Sequence, residues 1–129
     1  MQAINRTRQQ ILIERGLVAR TAEARLCGLI GRAALADGEG LFLVGTKSIH
    51  TFGMRFAIDV VFLDPHGHVI HLIHAMKPSQ FSAFVWRATG VLEMPAGVLH
   101  ETGTRIGDCI EIVERDATHE RVRAAVESG

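Results

Sequence analysis

The sequence has few cysteines, prolines and aromatic residues and no long apolar run, so none of these features fixes its fold or its cellular location. Its two cysteines, without a CxxC pair, are too few for a disulfide framework, and its three prolines mark turns rather than a proline-rich segment. Aromatic residues make up 5% of the 129 residues, and none is tyrosine. No run approaches the roughly 20 apolar residues of a membrane helix, and the N-terminus has no apolar leader segment. We therefore expect a cytoplasmic protein without a membrane partner.

An excess of charge of one sign is also missing. Fourteen basic residues balance fourteen acidic ones, and nucleic-acid binding by counterion release favours a clear positive excess, so we expect no nucleic-acid partner. The distribution is uneven: residues 1–32 hold six arginines and two glutamates, and residues 101–129 hold four arginines and seven acidic residues. Either the two ends attract each other or simply face water, or the N-terminal part forms an anion-binding face.

What the chain does contain is short apolar segments separated by turns. A chain of 129 residues buries roughly two-thirds of its surface on folding and supports one hydrophobic core. Strands with turns about every 8–12 residues predict a mainly β fold, a compact antiparallel sandwich or barrel-like single domain over residues 1–129. A few short helices are expected, and a C-terminal helix over about residues 117–127.

The longest β signal covers residues 49–64. Its even positions are almost all apolar, which predicts one long strand with that face toward the core. Residues 64–67, Asp-Pro-His-Gly, predict a hairpin turn into a return strand over residues 68–74. The other expected elements are extended structure over residues 10–20, strands over residues 41–44, 91–94 and 109–114, and one helical turn over residues 98–102.

Several short segments are specific when they are taken together and in order. They are RLCGLIGR (25–32), GEGL (38–41), IHTFGMR (49–55), IDVVFLD (58–64) and LEMPAG (92–97), followed by Gly107-Asp108. With these segments the chain resembles the bacterial and archaeal domain of unknown function 192 over about residues 5–113. The resemblance implies a compact, mainly β sandwich-like fold with a few short helices. It implies no established activity.

Asp59 is a carboxylate within the apolar run of residues 58–63. A buried carboxylate has to be hydrogen-bonded, paired or protonated. Either Asp59 accepts backbone N–H bonds and ties down a neighbouring loop, or it faces a ligand, with Arg55 four positions earlier on the same expected strand face. His50 opens that strand, and it is either a hydrogen-bonded, half-buried side chain or a ligand contact.

The first functional hypothesis is a non-enzymatic module that binds a small ligand or a protein at one end of the sandwich. The sequence has no assembled nucleophile–base set and no Walker, GxGxxG, GxSxG or HExxH motif. No cofactor is expected. The candidate ligand-binding residues are His50, Arg55, Asp59, Arg25 and Arg32.

A second hypothesis is a hydrolytic or metal-assisted enzyme that uses His50, Asp59 and Glu93. Asp59 and Glu93 form a carboxylate pair for acid–base chemistry if their strands lie together. The four histidines between residues 66 and 74 do not share one face of a strand, so they do not predict a zinc site, and no metal is expected.

A third hypothesis is an interaction subunit that docks on a partner through residues 81–86. This segment reads Phe-Ser-Ala-Phe-Val-Trp. Exposed aromatic side chains there favour docking, whereas burial of both Phe81 and Trp86 would count against it.

Overall fold

The structure, a computed structural model, describes residues 1–21 and 32–114. The strands in this part of the chain are β1 (Gln2–Asn5), β2 (Gln10–Ile13), β3 (Arg15–Ala19), β4 (Glu39–Val44), β5 (Ile58–Leu63), β6 (Val69–Met76), β7 (Gly90–Pro95) and β8 (Ile110–Val113), and the helix is α1 (Val98–Thr102). The expected helix over residues 117–127 and the candidate residue Arg25 lie outside the described residues.

The strands form two sheets. Strands β2, β1 and β8 form a three-stranded sheet, and β3, β4, β7, β5 and β6 form a five-stranded sheet, in these orders. Neighbouring strands are antiparallel except β3 and β4, which are parallel. The mainly β sandwich fold is thus confirmed. Within the described ranges, no helix is long and apolar enough to cross a membrane.

The five-stranded sheet is covered on both faces, so every residue of β5 is buried. Alternate side chains of a strand point to opposite faces. Val61 packs with the three-stranded sheet and α1, whereas Val60 and Phe62 pack against two irregular segments, residues 45–57 and 77–89, which we call the loop layer. Burial of a side chain of this size contributes about 1.5–3 kcal/mol to the stability of the fold.

The long strand expected over residues 49–64 is wrong in its first half. Only the second half forms a strand, β5, and the residues before it are irregular apart from one isolated bridge. Gly53 has a φ of +82°, which an extended strand does not adopt. The apolar spacing here belongs to a loop that buries Ile49 and Met54 against the sheet and exposes Phe52.

The expected hairpin turn between β5 and β6 is confirmed. Oδ1 of Asp64 accepts the backbone N–H of His66 and of His68, both at 2.9 Å. Partial burial raises the pKa of Asp64, but these two bonds outweigh it and hold the pKa below its usual value.

The opposite charges at the two ends of the described chain attract each other. Ion pairs join Arg6 to Glu111 at 2.5 Å, Arg8 to Asp108 at 2.7 Å and Arg20 to Glu114 at 2.8 Å. Exposed pairs of this kind contribute little individually. They agree with the first interpretation of the uneven charge rather than with an anion-binding face, because these arginines already have carboxylate partners.

Asp108 is the buried member of this set. Its Oδ2 accepts hydrogen bonds from Nδ2 of Asn5 at 3.0 Å, Nε of Arg8 at 2.7 Å and the backbone N–H of Arg105 at 3.0 Å. Burial raises the pKa of Asp108, but these donors outweigh that effect and hold the pKa below its ordinary value. The ionised carboxylate thus joins β1 to the loop before β8.

We expect Asp108 to make the fold sensitive to acid. Because its pKa is lower in the folded chain than in the unfolded chain, its contribution is complete above the unfolded value of about 3.9. The contribution is lost as the pH falls through the folded pKa. Urea unfolding at a series of pH values should show stability falling more steeply below about pH 4 for the wild type than for Asp108→Asn. Equal slopes for the two proteins would contradict this assignment.

Candidate functional site

Asp59 is fully buried in β5, and both of its carboxylate oxygens accept backbone hydrogen bonds. Oδ1 accepts the N–H of Ala75 at 2.8 Å, and Oδ2 accepts the N–H of Gly97 at 3.0 Å and of Leu99 at 2.9 Å. Three backbone donors on one buried carboxylate are the contacts expected of a residue that ties neighbouring segments together.

These contacts fix the start of α1 and an irregular position in β6. The first N–H groups of a helix have no partner within the helix, and Gly97, at the start of α1, has no side chain to cap them. Asp59 supplies that cap from the neighbouring strand. Its other oxygen binds Ala75, which has a φ of +46° at an irregularity in the β5–β6 pairing. One carboxylate therefore fastens both β6 and α1 to the centre of the sheet.

Asp59 and Glu93 lie on neighbouring strands but on opposite faces of the sheet. Glu93 is opposite Val60, and Asp59 is opposite Met94. Cross-strand partners share a face, and Val60 and Met94 belong to the two different core clusters. The strands do lie together, as the enzyme hypothesis requires, but the two carboxylates do not form an acid–base pair.

Of the described candidate ligand residues, His50 and Arg55 lie in the loop layer, and Asp59 faces the other side of the sheet. Arg55 precedes β5 instead of lying on it, and its side chain is exposed. Nη2 of Arg32 pairs with Oε1 of Glu39 at 3.1 Å. His50 is exposed in the loop layer, whereas Asp59 points toward α1 on the other face of the sheet.

Three histidines near the β5–β6 hairpin lie beside other rings and do not converge on one point. His71 packs against Phe62 with ring centroids 5.3 Å apart, and His66 and His68 lie 6.5 Å apart beside the turn. Across residues 1–21 and 32–114, no three His, Cys, Asp or Glu side chains are arranged to hold a metal ion.

The outer side of the loop layer carries aromatic rings that face water. The exposed fraction is 42% for Phe52, 76% for Phe81, 68% for Phe84 and 74% for Trp86. The rings of Phe52 and Phe81 meet edge to face at 4.8 Å, and the ring of His50 lies 5.6 Å from the first and 6.3 Å from the second. We call these five residues the aromatic platform.

The backbone beneath the aromatic platform is fixed by hydrogen bonds between the two segments of the loop layer. Backbone bonds run from Gly45 N to Thr89 O at 2.8 Å, Thr51 N to Gln80 O at 2.9 Å, Ser82 N to Ile49 O at 2.9 Å and Val85 N to Lys47 O at 2.7 Å. The buried Thr51 adds a side-chain bond, from its Oγ1 to the carbonyl of Lys77 at 2.6 Å. Because this backbone is already ordered, binding through the surface costs little further backbone entropy.

The loop layer is also positively charged. It contains Lys47, Arg55, Lys77 and Arg87 and no aspartate or glutamate. Three of the four cations are exposed. The ammonium of Lys47 donates to the carbonyls of Trp86 at 2.9 Å and Ala88 at 2.7 Å. A chain with zero net charge thus carries four cations and no carboxylate in the two segments that hold its exposed rings.

The sequence matches the family model of domain of unknown function 192 (DUF192), described as an uncharacterized ACR, over residues 3–112. The chain is a member of the DUF192 family. The resemblance seen in the ordered sequence segments is thereby confirmed. No curated protein gives a significant match to this sequence.

Solved structures share the fold of this DUF192 chain. A protein of unknown function from Novosphingobium aromaticivorans superposes with a TM-score of 0.74 at 20% identity, over 86% of this chain and 82% of its own. A protein from Sinorhizobium meliloti, described as a candidate transcription regulator, superposes with a TM-score of 0.72 at 19% identity, over 85% of this chain and 89% of its own. At these identities the likeness concerns the fold alone.

Phe52 is the platform residue that the sequence patterns misplaced. Its position on the apolar side of the expected strand indicated the core. One signal pointed elsewhere: Gly53 directly after it interrupts a strand pattern in this DUF192 chain.

Proposed function

We propose that this DUF192 domain is a non-enzymatic module that binds another protein through the aromatic platform. The observation that carries the proposal is the exposure of Phe81, Phe84 and Trp86, each more than two-thirds accessible to water. These three rings lie within six consecutive residues, and exposed apolar patches mark interaction sites in soluble proteins. Trp is also enriched among the residues that dominate binding energies at protein interfaces.

A protein partner fits the shape of the platform better than a small ligand does. Small-molecule sites are concave and enclose about 70–90% of the surface of their ligand. The rings of Phe84 and Trp86 instead project from the loop layer, so they suit pockets on a partner's surface. The hydrogen bonds beneath them supply the preorganisation that a docking surface needs.

A library of random peptides displayed on phage tests the proposal. Peptides of about 15 residues are long enough to occupy a surface of this kind. The library is first depleted on an immobilised Phe84→Ala/Trp86→Ala variant and is then selected on the wild-type protein. We expect enriched peptides that bind the wild type at least about tenfold more tightly than they bind Trp86→Ala.

The folded state should tolerate these changes, because the substituted side chains are exposed. Unfolding free energies should stay within about 0.5 kcal/mol of the wild type. Leu17→Ala is the matched control, since Leu17 is a 64% exposed apolar residue on β3, outside the loop layer. Selection of no peptide, or of peptides that bind Trp86→Ala as tightly as the wild type, would contradict the proposed function.

A further inference from the structure

Resting on the proposed function, we infer that the partner presents an acidic segment that also carries apolar side chains. The aromatic platform supplies the apolar half of the match. The cations of the loop layer supply the other half, because Lys47, Arg55, Lys77 and Arg87 share these two segments with the rings and no carboxylate does.

Three of the four cations are exposed in the two segments that carry the rings. Arg55, Lys77 and Arg87 are exposed, and Arg87 directly follows Trp86. Thr51 Oγ1 donates to the carbonyl of Lys77 at 2.6 Å, which places that residue beside the segment that holds Phe52. Complementary charge at a rim of this kind raises association rates and rejects partners of like charge.

A second copy of the chain is a poor occupant of this surface. Symmetric dimers bring the same patch of both copies together. Each copy would then bring the four cations of its loop layer, with no acidic residue in either layer to compensate them. Like charges at an interface oppose association.

A protein segment also fits better than a nucleic acid. Lys47 is one of only four cations in the loop layer, and its ammonium is already bonded to two carbonyls. This leaves three cations for phosphates, whereas a DNA-binding protein can contact about 6–10 of them. Phe52 and Phe81 meet edge to face, so they do not form a slot between parallel rings for a base. Phe, Trp and Arg are among the side chains enriched at protein interfaces.

The composition of the platform-selected peptides tests the inference. We expect aspartate and glutamate to be enriched over the starting library, lysine and arginine to be depleted, and Phe, Leu or Trp to be retained. The affinity of these peptides should fall several-fold as NaCl rises from about 0.05 to 0.5 M, because salt screens exposed charges.

Charge variants give the matching test on the domain. Arg55→Glu/Arg87→Glu should weaken the acidic peptides at least about tenfold, and Arg55→Gln/Arg87→Gln should weaken them less. Arg105→Glu is the control, since this residue is exposed and lies outside the loop layer, and it should leave the affinity within about twofold. Melting curves establish that each variant is folded.

Results that would overturn the acidic partner differ from results that would overturn the proposed function. Platform-dependent peptides without an acidic excess would overturn the acidic partner and leave the proposed function standing. Absence of platform-dependent peptides would overturn both. Two further probes are a thymidine oligonucleotide of about 20 residues and phosphatidylcholine vesicles with added phosphatidylglycerol. If the oligonucleotide or the vesicles bind in a way that Trp86→Ala abolishes, and acidic peptides do not bind, the partner is a nucleic acid or a membrane surface and not a protein.

Discussion

Replacement of Asp59 by alanine is expected to lower the free energy of unfolding by about 3–6 kcal/mol. The substitution removes the partner of three backbone N–H groups, those of Ala75, Gly97 and Leu99. The buried N–H of Leu99 costs about 1–3 kcal/mol when it is left without a partner, and the part-buried N–H groups of Ala75 and Gly97 cost about 1–1.5 kcal/mol each. A domain is stable by only about 5–15 kcal/mol in total, so the melting temperature should fall by about 10–20 °C.

Asp64→Ala is the matched control for this prediction. Asp64 also accepts two backbone N–H bonds, but it lies in a half-exposed turn, where water replaces the lost acceptor. Its loss should cost about 1 kcal/mol. An Asp59→Ala protein that melts like the wild type while it loses peptide binding would contradict the structural role and would support the alternative that Asp59 faces a ligand.

Gly67→Ala should lower the unfolding free energy by about 2–4 kcal/mol, for two independent reasons. Gly67 has a φ of +84°, a conformation that costs an L-residue with a side chain about 1–2 kcal/mol. A Cβ built at this position lies 2.5 Å from the carbonyl oxygen of Ile110. That oxygen belongs to the backbone of β8, and the same segment is tied to Gly67 through the bond from Ile110 N to Gly67 O at 2.8 Å, so it has little freedom to move.

Gly45→Ala separates the two causes. Gly45 has a φ of +70°, but a Cβ there meets no atom within 4 Å. The free energy of unfolding of Gly45→Ala should fall only by the cost of the positive φ, about 1–2 kcal/mol. Urea unfolding of both variants gives the comparison, and equal losses would contradict the close approach between the β5–β6 turn and β8.

The sequence predicted those parts of the fold that depend on neighbouring residues. The turn at residues 64–67 was recognised because Pro65 suits the second turn position and Gly67 accepts a positive φ. The helical turn over residues 98–102 was recognised from its terminal glycine at 103. The strand expected over residues 49–57 failed because alternation reports only which side chains are buried. A loop packed on a sheet produces the same alternation as a strand.

The candidate site depends on contacts that are distant in the chain. Both roles of Asp59 were open from the sequence, since its backbone partners lie 16, 38 and 40 residues away. The relation between Asp59 and Glu93 rests on the β5–β7 register, where a shift of one residue reverses the face. Residues 81–86 suit a core as well as a surface, and only the packed fold shows that their rings are exposed.

The most direct test of the proposed function is the map of backbone amide chemical shifts as a platform-selected peptide is added to ¹⁵N-labelled protein. Binding at the aromatic platform predicts changes in residues 47–55 and 77–87 and at the indole N–H of Trp86, with little change in β3 or α1. Changes concentrated elsewhere, for example around Arg32 and Glu39, with the Trp86 indole unaffected, would contradict it.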